Sequence, residues 1–162
     1  MSAVTDELTE SFAGDGFTFR HPASSAVEVD VDPRVVASAV LTDAARPLLI
    51  AVAVEDSPLD TPALQVPGLL GALIERYRDK GGFEELWYGR LPVEGSDAAE
   101  AAEVRYGSGD PRQALVVAAR IDGPRILTVQ VHFPPSAAET LRPLALAILE
   151  SLVVRSGQDP LR

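Results

Sequence analysis

His21 and His132 are the only histidines in the chain. His21 ends the stretch Phe-Thr-Phe-Arg-His-Pro, and Asp30 and Asp32 follow shortly after. An imidazole held by a carboxylate can act as a general base, and one joined by further ligands can bind a metal. No His-x-x-x-His spacing supports a metal site here, and both histidines are expected to be structural or solvated. Glu84 with Glu85, and Glu100 with Glu103, offer paired carboxylates for acid-base work. Neighbours on a strand point to opposite faces, so the first pair cannot cooperate, and the second shares a face only if its segment is helical. Solvated edges are the expectation for both. In Gly-Ser-Gly-Asp-Pro-Arg, residues 107 to 112, the glycines are close together, but Pro111 removes an amide donor where a phosphate cradle needs one. That segment is expected to be a turn. No nucleotide fingerprint, P-loop or Gly-x-Ser-x-Gly occurs, and the absence of cysteine removes disulfides, zinc thiolates and thiol nucleophiles. The expectation is a chain with no catalytic residue, no cofactor and no metal.

The aromatic pair Trp87-Tyr88 is the other chemical feature. On a strand at most one of the two can fill the core, which leaves the other as an anchor for a partner. His132 shares strand parity with Thr128 and Gln130, opposite Leu127, Val129, Val131 and Phe133, and so lies on the more polar face. Trp87, Tyr88 and His132 form the expected interaction surface.

These residues need elements to hold them. Phe17 and Phe19 alternate with polar neighbours up to the stop at Pro22, and Val27, Val29 and Val31 alternate with Glu28, Asp30 and Asp32. Both patterns have the period of strands with one buried face, the acids pointing outward. Residues 34–42 and 47–55 are apolar and β-branched and are expected as central strands, the second buried on both faces. Leu69, Leu70, Leu73, Ile74 and Tyr77 recur at helical spacing after Pro62 and Pro67, and Gly81-Gly82 supplies the stop. Strands are expected within 83–91, 98–106, 113–121 and 125–133, the last three as an antiparallel meander, although Ala-Ala-Glu-Ala-Ala favours helix by propensity. Leu141, Leu144, Ala145, Ile148, Leu149 and Leu152 mark a final helix. Thr140 as its cap keeps Pro143 in the first turn, and is preferred to a start at Ser136, which would place the proline inside.

With 162 residues and 46% hydrophobic content, the chain can bury one sizeable core. The expected domain spans residues 17–155, between an acidic N-terminal arm over 1–16 and a tail over 156–162. Net charge is −10, and residues 1–32 hold seven acids against Arg20 alone. Such a chain repels phosphate backbones and anionic lipid, so no nucleic acid partner and no membrane insertion are expected. The acidic start does not read as a signal peptide, and a cytoplasmic location is expected.

The order of parts, from Phe-Thr-Phe-Arg-His-Pro through the mid-chain helix and Asp-Ala-Ala-Glu-Ala-Ala-Glu-Val-Arg-Tyr to Ile-Leu-Thr-Val-Gln-Val-His-Phe-Pro-Pro-Ser and a closing Ala-Ile-Leu-Glu-Ser-Leu-Val-Val, resembles the PsbP-like superfamily over residues 15 to 155. The proline after the first strand is followed by Ala-Ser-Ser where the family often has Gly-Trp. The resemblance implies an α+β fold, a mainly antiparallel sheet packed against two helices, and a non-enzymatic binding or accessory role. A protein partner, or a second copy of the chain, is the expected ligand. A small-molecule or lipid carrier with a cavity between helix and sheet is the alternative, and a hydrolase built on histidine and carboxylate is a third reading.

Overall fold

The computed structural model describes residues 6–29, 37–56, 62–122 and 125–154. Ten strands and two main helices run in the order β1 (Glu10–Ala13), β2 (Phe17–His21), β3 (Ser25–Val29), β4 (Ala37–Asp43), β5 (Leu49–Asp56), α1 (Pro62–Arg78), β6 (Glu84–Arg90), β7 (Ala98–Tyr106), β8 (Arg112–Asp122), β9 (Arg125–Phe133), α2 (Ala138–Glu150) and β10 (Val153–Val154). Seven strands form one antiparallel sheet in the order β3-β4-β5-β9-β8-β7-β6, and β1-β2-β10 form a small second sheet. The expected meander is β7-β8-β9. The α+β class, with a mainly antiparallel sheet and two helices, is what the chain adopts.

Strand parity divides the core in two. Ile50, Val52, Val54, Leu115, Val117, Leu127, Val129 and Val131 face α2 and the small sheet, where they meet Phe17, Phe19, Leu141, Leu144, Ile148 and Leu152. On the other face of the sheet, Ala102 and Val104 of β7 and Ala114, Val116 and Ala118 of β8 meet α1 and its stripe of Val66, Leu70, Leu73, Ile74 and Tyr77. Each fully buried leucine in that stripe contributes about 1.5–3 kcal/mol. The alanines also explain how the helix-favouring Ala-Ala-Glu-Ala-Ala becomes strand. The segment lies between β6 and β8, and its small side chains let α1 approach the sheet closely.

Several expectations change. Helix α1 begins at Pro62 and contains Pro67, and α2 begins at Ala138 and contains Pro143, so Thr140 is not the cap. In both helices the proline is the sixth residue and is exposed. Each helix therefore loses one early hydrogen bond on a face where water can solvate the freed carbonyl, at lower cost than in a buried interior. β5 is buried on one face only. α1 packs on β7 and β8, leaving Ala51, Ala53 and Glu55 half-covered. Val29 is 65% exposed because β3 is the outer strand of the large sheet. Val31, Asp30 and Asp32 lie outside the described residues. Within the segment expected as an acidic arm, β1 pairs with β2 and Leu8 is buried in the core.

Candidate functional site

The two histidines sit in different sheets. His21 ends β2, buried, with Nδ1 2.9 Å from Ser25 Oγ and 3.0 Å from the Pro22 carbonyl. It ties the strand end to the turn that starts β3. His132 lies on β9 between two tyrosines, Nε2 3.5 Å from the Tyr77 hydroxyl and Nδ1 3.4 Å from that of Tyr106. Burial holds its pKa below the ordinary imidazole value, and the charges of Arg112 and Lys80 push it further the same way. Among the described residues neither histidine is hydrogen-bonded to a carboxylate, and no cluster of three or more His, Asp or Glu side chains could hold a metal.

The carboxylate pairs also separate. Because β7 is a strand, a spacing of three sends Glu100 and Glu103 to opposite faces. Glu100 accepts a 2.5 Å hydrogen bond from Tyr88 on the α1 side, and this bond pushes the Tyr88 pKa up to about 12. Glu103 lies on the α2 side, 6% exposed, where Arg142 Nε and Nη2 donate to it at 2.9 and 2.6 Å and Gln113 Nε2 donates as well. Burial raises the carboxyl pKa, but the Arg142 and Gln113 bonds outweigh it and hold Glu103 below the ordinary carboxylate range. This buried network locks α2 to the sheet. Glu84 pairs at 3.7 Å with Arg105.

Trp87 and Tyr88 lie on β6, the other outer strand of the large sheet. Trp87 is 45% and Tyr88 46% exposed. Strand parity predicts that at most one fills the core, and neither does. Trp87 pairs across from Glu103 and Tyr88 from Ala102, so the rings flank the strand on opposite faces. The Trp87 ring lies over Gly89, where an added Cβ would come within 2.7 Å of it. A bulge between Glu85 and Trp87 shifts the register against β7. His132 is not part of this surface, because β8 and β7 stand between β9 and β6.

His132 instead lies in a cleft of about 870 Å³ between the end of α1 and the sheet. Local chain geometry builds it. Gly81 and Gly82 take positive φ to end the helix, and the Gly107 amide donates to the Gly81 carbonyl at 2.7 Å, docking the β7–β8 turn against the helix end. That contact sets Lys80 and Arg112 on one rim. The floor carries Tyr77, whose hydroxyl donates to Gln130 at 2.5 Å, together with Tyr106 and His132. By its spacing Tyr77 belongs to the core stripe of α1, whereas Arg76, Lys80 and Arg112 stand outside every apolar pattern and are not marked by one as a group. The available signal was that Lys80 is the chain's sole lysine, four residues from Arg76.

No protein-family model and no curated protein matches the chain. Solved structures do. PsbP (CyanoP) from Synechocystis sp. PCC 6803 has a TM-score of 0.64 at 17% identity, over 90% of this chain and 91% of that one. LpqN of Mycobacterium tuberculosis, involved in cell envelope biogenesis, has a TM-score of 0.62 at 15% identity, over 89% and 85%. The fold is PsbP-like. A third similar structure is that of a Pseudomonas aeruginosa protein of unknown function, with a TM-score of 0.55 at 14% identity over 86% and 92%. In the PsbP-like fold of this chain, the aromatic edge and the cleft are separate features. Among the described residues no helix is long and apolar enough to cross a membrane.

Proposed function

We propose that the chain is a non-catalytic binding module that docks on protein through the β6 edge, and that the partner it fits is a second copy of itself. The supporting observation is the half-exposure of both Trp87 and Tyr88 on one outer strand. Aromatic anchors carry a disproportionate share of interface energy. A contact between identical surfaces must be self-complementary. β6 reads Glu-Glu-Leu-Trp-Tyr-Gly-Arg, so a twofold axis near Trp87 sets Glu84 and Glu85 of one copy against Arg90 of the other, with the rings at the centre. The bulge and the two acids disfavour simple addition of another strand, so the rings rather than backbone ladders carry the contact.

Sedimentation equilibrium tests it. The wild-type chain is expected to associate reversibly in the micromolar to millimolar range, and Tyr88→Ala to weaken association by about tenfold or more, the scale of one hot-spot side chain. A wild-type chain that stays monomeric throughout, or a Tyr88→Ala chain that associates equally well, would remove the proposal.

A further inference from the structure

The cleft beside α1 concentrates positive charge on a chain whose net charge is −10. Four cations line it, Arg46, Arg76, Lys80 and Arg112, against Asp43 and Asp110, a local net charge of +2. Arg46 is engaged by Glu7 at 2.9 Å and by Asp43 at 3.2 Å. Arg76, Lys80 and Arg112 have no ion-pair partner among the described residues. Cations near the end of a helix complement its dipole, which accounts for Arg76 and Lys80. It does not account for Arg112, which starts β8 and is brought to the same rim by the glycine contact between the two loops. Lys80 and Arg112 also converge electrostatically on one point, since both act on His132 at the cleft floor.

Much of the remaining lining is apolar, with Leu48, Leu49 and Phe133 among it. Leu49, directly across from His132 in the sheet, is one of the few large hydrophobic side chains left exposed among the described residues, and the Tyr77 and Tyr106 rings stand beside His132 with their centroids 4.7 Å apart. We infer that this cleft is a binding site for a small organic anion, its carboxylate or phosphate held by Arg76, Lys80 and Arg112 and its flat apolar body lying against Leu49, Tyr77 and Tyr106. The half-buried His132 and the two tyrosine hydroxyls supply hydrogen-bonding groups at the floor without adding a competing carboxylate. The volume suits such a ligand, since small-molecule sites commonly span about 300–1,000 Å³ with a mostly apolar lining and a few convergent polar groups. The site is independent of the β6 edge.

Amide chemical shifts of the full chain, followed during titration with benzoate, phenyl phosphate, inorganic phosphate and benzyl alcohol, test the site. Benzoate or phenyl phosphate is expected to move the amides of Lys80, Arg112 and His132 saturably, and comparison of the two identifies the preferred head group. Inorganic phosphate and benzyl alcohol, each lacking half of the recognised chemistry, are expected to bind at least tenfold more weakly. The exposed double variant Lys80→Glu/Arg112→Glu is expected to lose at least tenfold in affinity for the preferred probe while keeping its dispersed spectrum elsewhere. Absence of saturable shifts with both anions at millimolar concentration, equal binding of benzyl alcohol or of inorganic phosphate, or unchanged affinity in the charge-reversed variant would each overturn the inference.

Discussion

Phe17→Ala is expected to destabilise the fold by about 3–5 kcal/mol, the cost of deleting a buried aromatic ring whose surroundings relax only partly. Phe17 is 1% exposed. Its ring stacks on Phe19 with centroids 6.2 Å apart and planes within 3°, and Phe12 of β1 lies 5.9 Å away. These rings are where the small sheet joins the α2 side of the large one, so the cavity left by alanine opens between layers rather than at a surface. A loss of that size is a large part of the 5–15 kcal/mol that holds a typical domain together. Urea unfolding should show a lower midpoint with an unchanged slope. Val29→Ala is the matched control, expected to stay within about 0.5 kcal/mol because that side chain faces solvent. A Phe17→Ala cost below about 1 kcal/mol would contradict the placement of the small sheet in the core.

Arg142→Ala is expected to cost about 2–3 kcal/mol near neutral pH. Removing one partner of a fully buried ion pair costs ~3–5 kcal/mol, and the value is reduced here because the Arg142 side chain is 36% exposed while Glu103 is enclosed. The loss falls on Glu103, whose carboxylate would keep only Gln113 as a close donor. The pH dependence follows from the depressed pKa of Glu103 in the folded chain. Its contribution is complete above the ordinary value of 4.5 and is lost as pH falls through the lower folded value. In Arg142→Ala burial dominates and raises that pKa, so protonation favours the folded variant. The stability gap between wild type and variant should therefore begin to narrow as pH falls towards 4.5, through the raised value of the variant, and go on narrowing below it, through the lower value of the wild type. A gap that stays constant from neutral pH into that range would show that the pair does not hold α2 to the sheet through charge.

The buried stripes were legible in the sequence because periodicity reports burial directly. Phe17 with Phe19, the α1 leucines and the residues from Leu141 to Leu152 all lie where their spacing puts them. Helix starts were less legible, since the rule against internal proline assumes a carbonyl with no access to water, and Pro67 and Pro143 lie on exposed faces. β1 was obscured by its acidic neighbours, because a four-residue strand that buries little carries almost no alternation. Val29 shows the converse: alternation was present, but the outer position of β3 left the side chain uncovered. Of the candidate surface, Trp87 and Tyr88 could be found from adjacent aromatics on one strand. The grouping of His132 with them failed because strand order cannot be read from parity, and the order places β8 and β7 between them. The cleft was hidden for a similar reason. Arg76 and Lys80 belong to one helix end, but Arg112 reaches them only through a loop contact set by positive-φ glycines.

Trp87 is the only tryptophan, so its fluorescence reports on the β6 edge alone. Collisional quenching by acrylamide, measured as chain concentration rises through the association range, tests the docking surface most directly. Quenching is expected to fall and emission to move to shorter wavelength in step with association, and Tyr88→Ala to shift both changes to higher concentration. Association detected by sedimentation while Trp87 stays as quenchable as in the dilute chain would place the contact elsewhere and contradict it.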